Sequence, residues 1–205
     1  MQSLVLRLSY SSEGYAKVAT ALGALARLAH FVNENADNSQ FWRDPATAAK
    51  LMTPIIHLLL SLPRPTECNA ASGEYLERMH IELTRLAMLI LLTRLKQSFS
   101  LLSDERHVLE DRFSFLTRTT PCFDERFPEL ALWAYTTVAI GEQAPSRKLH
   151  VDAIAMVMKS TGVQSSREAI QYAKQLVWIN ALMDPGVTSL ESQVEHACRP
   201  FLTTQ

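Results

Sequence analysis

The sequence predicts an all-α fold, a single irregular bundle of about eight helices in one domain over residues 1–205. Apolar residues recur at steps of three, four and seven in almost every segment, which is the period of a helix with one buried face. Helix-capping residues stand at several segment boundaries. No two segments show the alternating apolar pattern of paired strands. The predicted helices cover residues 13–33, 45–61, 73–99, 104–118, 125–141, 147–161, 166–181 and 188–199.

Residues 13–62 form a predicted N-terminal helical layer. The apolar stripe of its first helix consists of Val18, Leu22, Leu25, Ala29 and Val32. Asp44-Pro45 is typical of a helix start, because the carboxylate caps a free amide and proline fits the first helical position. Pro54 either kinks the second helix or begins a new one, since proline interrupts helical hydrogen bonding. The preceding Leu4–Leu8 stretch alternates weakly and has no strand partner.

Residues 70–205 form the predicted main bundle, after a loop from Pro63 to Gly73. Its first helix contains the longest apolar run of the chain, Leu86–Leu92. A membrane-spanning helix needs about 20 apolar residues, so this shorter run predicts a helix buried on most sides. We therefore expect no membrane association.

Helix boundaries in the second half are predicted from capping patterns. Ser165–Glu168 and Thr188–Glu191 both match the capping box, in which two side chains satisfy free amides of the first turn. Gly162 follows a periodic segment, as a left-handed C-terminal residue does. Asp184–Gly186 reads Asp-Pro-Gly, which predicts a turn after the preceding helix.

Composition and charge indicate an ordinary globular protein. The chain has 20 Lys+Arg against 21 Asp+Glu, and 47% of its residues are hydrophobic, which is too apolar for disorder. We expect no direct nucleic-acid binding, because phosphate contacts need a concentrated basic patch. Three scattered cysteines, Cys68, Cys122 and Cys198, are not a disulfide framework. Together with the lack of a signal-peptide pattern, they favour the nucleus or the cytoplasm.

The common enzyme signatures do not occur in the sequence. It has no glycine-rich phosphate loop, no G-x-S-x-G elbow and no H-E-x-x-H motif, so we expect no catalytic residue, no cofactor and no metal site. Glu77-x-x-His80 matches one arm of a di-iron bundle, which would need a second copy and two more glutamates. A helical enzyme with an unrecognised site stays open as an alternative, with Glu77, His80 and Glu82 as its candidate residues.

Two tryptophans, Trp133 and Trp178, lie in strongly apolar predicted helices. We expect both indoles to be largely buried, with each N–H bound to an acceptor. Two interpretations are open. Trp133, Gly141 and Trp178 are either core packing residues or the wall of an apolar pocket between helices, where a small-molecule effector would bind.

Four segments of the chain resemble the helical regulatory domain of fungal zinc-cluster transcription factors. They are Ala87–Leu95, Pro128–Gly141, Leu149–Val163 and Glu168–Asp184. In that family a helix rich in Ala and Leu precedes a Leu-Trp helix that ends in Gly. A further helix and a short Gly turn follow, and then a helix that ends in Leu-x-Trp or Leu-Trp near an acidic residue. Order and spacing are similar over residues 70–186. The resemblance implies a non-catalytic regulatory domain in the nucleus, with packing roles for Trp133, Gly141 and Trp178.

The sequence departs from this family in its DNA-binding module. That module holds two zinc ions with six closely spaced cysteines, whereas the three cysteines here cannot form such a cluster. The resemblance therefore implies a regulatory domain without its own DNA reader, whose partners are proteins of the transcription machinery or a second copy. Whether a zinc cluster is encoded upstream of Met1 stays open. A free-standing helical adaptor is the main alternative function.

Overall fold

The computed structural model describes residues 2–62, 64, 73–119, 123–142 and 146–202. Within these ranges the chain forms nine α-helices and one 3-10 turn, Phe41–Arg43, and contains no strand. The helices are α1 (Gln2–Ser9), α2 (Glu13–Glu34), α3 (Pro45–Leu60), α4 (Gly73–Ser98), α5 (Arg106–Thr119), α6 (Pro128–Gly141), α7 (Ser146–Thr161), α8 (Ser166–Lys174) and α9 (Asn180–Leu202). The prediction of an all-α helical bundle is confirmed.

Helices α2 to α7 begin and end close to their predicted positions, and the capping residues explain why. The Asp44 carboxylate accepts a hydrogen bond from the Thr47 amide at 3.0 Å, at the start of α3. Ser165 caps α8 in the same way. Gly162 has a φ of +73°, as expected for a left-handed residue that follows α7. Pro54 lies inside α3, which continues past it to Leu60.

The first helix, α1, was not among the predicted helices. Leu4 and Leu8 are buried and lie four residues apart, which places them on one face of a helix that packs against α2. Arg7 forms an ion pair with Glu129 at 2.9 Å. The segment Leu4–Leu8, whose apolar residues alternate weakly, is therefore part of a short amphipathic helix.

The last two helices differ from the prediction. Helix α8 ends at Lys174 and α9 begins at Asn180, so residues 175–179 form a non-helical connection and Trp178 is not in a helix. The turn predicted at Asp184–Gly186 and the capping box predicted at Thr188–Glu191 both lie inside α9 and are wrong.

Gly186 explains why an Asp-Pro-Gly sequence is helical here. A Cβ atom at this position would lie 2.9 Å from Ile140 Cγ2 and 3.2 Å from the Ile140 carbonyl oxygen. The glycine therefore allows α9 to pack directly on α6, and tertiary packing outweighs the low helix propensity of glycine.

Two central helices organise the bundle. Every residue from Met79 to Thr93 of α4 is buried, and so is every residue from Leu130 to Ile140 of α6. Helix α4 packs against α2, α3, α5 and α6, while α6 packs against α4, α7, α8 and α9. All nine helices contribute to one apolar core. None of the helices described above is long and apolar enough to span a membrane.

Gly186→Ala is expected to lower the free energy of unfolding by about 1–3 kcal/mol, because the added methyl group has no room between α9 and α6. The matched control is Gly23→Ala in α2, where the nearest atom to the new Cβ, Arg27 Nη1, lies at 3.7 Å. There alanine is expected to stabilise the protein by about 0.5–1 kcal/mol through helix propensity. Urea unfolding followed by circular dichroism measures both variants, and equal effects would contradict the close contact.

Candidate functional site

Trp133 lies at the centre of the bundle, in the first half of α6. Its side chain has no exposed surface. The indole Nε1 donates a hydrogen bond to the Val177 carbonyl oxygen at 2.8 Å. The indole therefore joins α6 to the connection formed by residues 175–179. It gives a hydrogen-bond partner to a carbonyl that lies beyond the end of α8 and is not part of a helix.

Trp178 follows Val177 in the 175–179 connection and is 7% exposed. Its indole Nε1 donates to Asp184 Oδ1 at 2.9 Å. Lys174 forms an ion pair with the same carboxylate at 3.1 Å, and its ammonium lies 4.9 Å from the centre of the indole ring. The Trp178 hydrogen bond thus links the 175–179 connection to the second turn of α9. Trp178 also lines a surface groove that it shares with residues of α2.

Asn33 of α2 binds the backbone at the end of the same connection, where α9 begins. Its side-chain amide donates to the Trp178 carbonyl oxygen at 2.8 Å, and its oxygen accepts from the Asn180 backbone amide at 2.9 Å. One side chain therefore satisfies two backbone groups where α9 begins. The N-cap position of α9 is Ile179, whose side chain cannot accept a hydrogen bond, and Asn33 supplies the missing acceptor to the first amide of the helix.

Gly141 is the last residue of α6 and lies against the Arg94 guanidinium. A Cβ atom at Gly141 would come within 2.8 Å of Arg94 Cζ. Arg94 donates to the carbonyl oxygens of Thr137 at 3.2 Å and of Leu182 at 2.8 Å. A second guanidinium, that of Arg106, donates to the Gly141 carbonyl oxygen at 2.7 Å.

The two guanidinium groups complement the C-terminus of α6 electrostatically. The last carbonyls of a helix lack helical partners and carry partial negative charge, so cations are stabilised there. Burial and the nearby Arg106 lower the pKa of Arg94 to about 10. Arg94 therefore remains charged near neutral pH.

The three residues predicted as pocket or core fall into two neighbouring groups of contacts, one around Arg94 and Gly141 and one around Trp133 and Trp178. Both groups bind the chain between residues 177 and 184, and we call them together the Arg94 junction. It consists of Arg94, Trp133, Gly141, Trp178 and Asp184, together with the backbone carbonyls they bind. Both indole N–H groups have found acceptors, as expected. Sequence reasoning did not find Arg94 or Asn33 as partners, because each reaches a distant backbone group rather than a local one.

The candidate residues of the alternative enzyme hypothesis fall into two separate clusters. Glu77 and His80 lie near each other, linked through Tyr15, Asp124 and Arg126. Glu82 points elsewhere and is fully buried. It is bound by two nitrogens of Arg85 and one of Arg112.

His80 is buried in the first of these clusters and is 2% exposed. The Tyr15 hydroxyl donates to Asp124 Oδ2 at 2.7 Å and lies 2.8 Å from His80 Nδ1. Since a tyrosine has one hydroxyl proton, His80 carries its own proton on Nδ1 and donates it to Tyr15. The other ring nitrogen, Nε2, is buried without a hydrogen-bond partner among the described residues.

Electrostatics in this cluster keep His80 neutral and Asp124 charged. Burial lowers the pKa of His80 to about 4. Burial opposes ionisation of Asp124 as well, but hydrogen bonds from Arg126 and Tyr15 outweigh it and bring the pKa of that carboxyl to about 2. A substrate cannot reach His80 unless the packing around α4 opens.

A further buried cluster brings together Ser114, Glu142 and His150. The Ser114 hydroxyl and Glu142 Oε1 each lie 3.3 Å from His150 Nε2. A Ser-His-acid triad needs the hydroxyl and the carboxylate on opposite ring nitrogens, whereas here both face the same one. His150 also has no exposed surface.

Comparison of the chain with models of protein families, with curated proteins and with solved protein structures finds no match.

Asn33→Ala is expected to lower the free energy of unfolding by about 2–3 kcal/mol, because two backbone groups at the start of α9 lose their partners. The matched control is Asn35→Ala two residues on, whose side-chain amide donates to the exposed Phe31 carbonyl and to no other group among the described residues. The control should change stability by less than about 0.5 kcal/mol. Chemical unfolding measures the difference, and equal losses would contradict the role assigned to Asn33.

The stability of the fold is expected to fall by about 2–3 kcal/mol as the pH is lowered from 6.5 to 4, because His80 binds a proton in the unfolded chain before it does so in the folded one. Stability is therefore present above pH 6.5 and is lost toward pH 4. His80→Gln should flatten this part of the pH profile. His107→Gln, at an exposed histidine of α5, is the control and should leave the slope unchanged.

Proposed function

We propose that the chain is a non-catalytic regulatory and interaction domain of a fungal transcription factor of the zinc-cluster type. The Arg94 junction is the observation that supports this proposal. Its members Arg94, Trp133, Gly141, Trp178 and Asp184 all belong to the segments on which the family resemblance depends.

A likeness that arose only from apolar composition would not explain why these particular residues are linked through one stretch of chain, residues 177–184. Two of them are polar and one is a glycine, and they come from segments far apart in sequence. The Arg94 guanidinium binds the Leu182 carbonyl 88 residues away, and it packs on Gly141 where no side chain would fit. If this chain shares the fold of that family, the residues of the sequence pattern are expected to connect the same helices, as those of the Arg94 junction do.

The chemistry of the junction fits a scaffold rather than a reaction. Its indole N–H groups and guanidinium bind backbone carbonyls and a carboxylate inside the bundle. Such contacts fix the relative positions of α4, α6 and α9. In the proposed function this rigid arrangement presents the outer helix faces to proteins of the transcription machinery or to a second copy, in the nucleus.

The proposal is tested by fusing the chain to an unrelated DNA-binding domain in a fungal reporter strain. The fusion is expected to raise or lower transcription of the reporter relative to the DNA-binding domain alone. Arg94→Met should abolish the effect, because it removes the contacts that position α9. Arg167→Gln, an exposed residue of α8, is the control and should retain it.

Expression of each fusion is matched by immunoblot, so that lost protein is not mistaken for lost activity. A wild-type fusion that leaves transcription unchanged would contradict the regulatory function and favour the free-standing adaptor. An unchanged transcriptional effect in the Arg94→Met fusion would contradict the role of the Arg94 junction in the proposed function.

A further inference from the structure

An apolar groove lies between α5, α6 and α7, away from the Arg94 junction. Its volume is about 290 Å³. Its lining includes the apolar and aromatic side chains of Phe123, Tyr135, Leu149 and Met156. This volume is close to the lower end of small-molecule pockets, about 300 Å³, and suits a compact ligand with one ring.

The aromatic wall of the groove is held in place from behind. Tyr135 belongs to the central helix α6 and is 4% exposed. Its ring packs edge-on against Phe113 at 5.8 Å between centroids, and it stacks on His150 at 6.5 Å. A wall fixed in this way needs little reordering when a ligand binds.

Two opposite charges line the same groove. Arg118 comes from the last turn of α5 and Asp152 from α7. Both side chains are exposed, and neither forms an ion pair with any residue in the described ranges. The groove therefore offers a cation and an anion that are both available to a ligand, next to an apolar surface.

We propose that this groove binds a free α-amino acid with an aromatic side chain. Arg118 receives the carboxylate, for which a guanidinium has the matching geometry, and Asp152 receives the ammonium group. The ring of the ligand packs between Tyr135 and Met156, in contacts that aromatic and thioether groups favour. This assignment rests on the groove alone and does not depend on the regulatory function.

The test is a titration of the full chain, labelled with ¹³C in its methionine methyl groups, with L-phenylalanine up to about 10 mM, which covers Kd values near 1 mM. Met156 is 48% exposed in the groove, whereas Met52, Met88 and Met183 are buried elsewhere and report on nonspecific effects. A Met156→Leu spectrum assigns the signal. The Met156 signal alone is expected to shift and to saturate.

Three analogues separate the two charges. Phenylpropionate lacks the ammonium group, phenethylamine lacks the carboxylate, and N-acetylphenylalanine amide lacks both charges. Each is expected to bind at least about tenfold more weakly than phenylalanine, because a charge-assisted hydrogen bond is lost. Equal binding of the uncharged amide would overturn the proposal and would point to an apolar side chain of a protein partner.

Two variants assign the charges to residues. Arg118→Gln should weaken phenylalanine binding about tenfold and leave phenethylamine unaffected, while Asp152→Asn should weaken phenylalanine and leave phenylpropionate unaffected. Arg167→Gln on α8 is the control and should not change binding. The absence of a saturable Met156 shift with phenylalanine, or unchanged binding in both charge variants, would overturn the assignment.

Discussion

The placement of the Arg94 guanidinium at the C-terminus of α6 fixes the relative positions of three helices. Burying a charged group is costly unless its donors are satisfied, and here backbone carbonyls from α6 and α9 accept them. Because Arg94 binds the Leu182 carbonyl, the first turn of α9 has one position. Asp184 lies in the next turn of that helix and accepts a hydrogen bond from the Trp178 indole. The position that Arg94 gives to α9 therefore also determines where Trp178 binds.

Helix α6 connects the two regions of interest. Trp133 and Gly141 face the Arg94 junction, while Tyr135 faces the apolar groove between α5 and α7. A ligand in the groove would therefore touch the same helix that positions α9. Because Arg94 and Trp133 link α6 to α9 and to the 175–179 connection, a shift of α6 would be transmitted to both. These contacts are a physical route by which an effector in the groove could alter the outer surface.

Most of the fold could be predicted from the sequence, because apolar spacing and capping residues act locally. The failures have a common cause, since they depend on contacts between distant residues. Gly186 was interpreted as a turn residue, although it serves the packing of α9 on Ile140. The burial of both indoles was predicted, but the Val177 carbonyl as an acceptor was not. The groove was missed because Arg118 and Asp152, on separate helices, each look like ordinary solvated residues.

The wide separation of paired residues also bears on how the chain is made. Asn33 reaches its partners only after residues 178–180 have left the ribosome, and Tyr15 reaches Asp124 across 109 positions. Until α6 is synthesised, the face of α4 that packs on α6 stays uncovered, although α2 and α3 already cover other faces of the helix. Non-local pairing of this kind slows folding and prolongs the exposure of apolar surface. Newly synthesised copies therefore expose apolar surface, and are open to aggregation, until the later helices of the chain have been made.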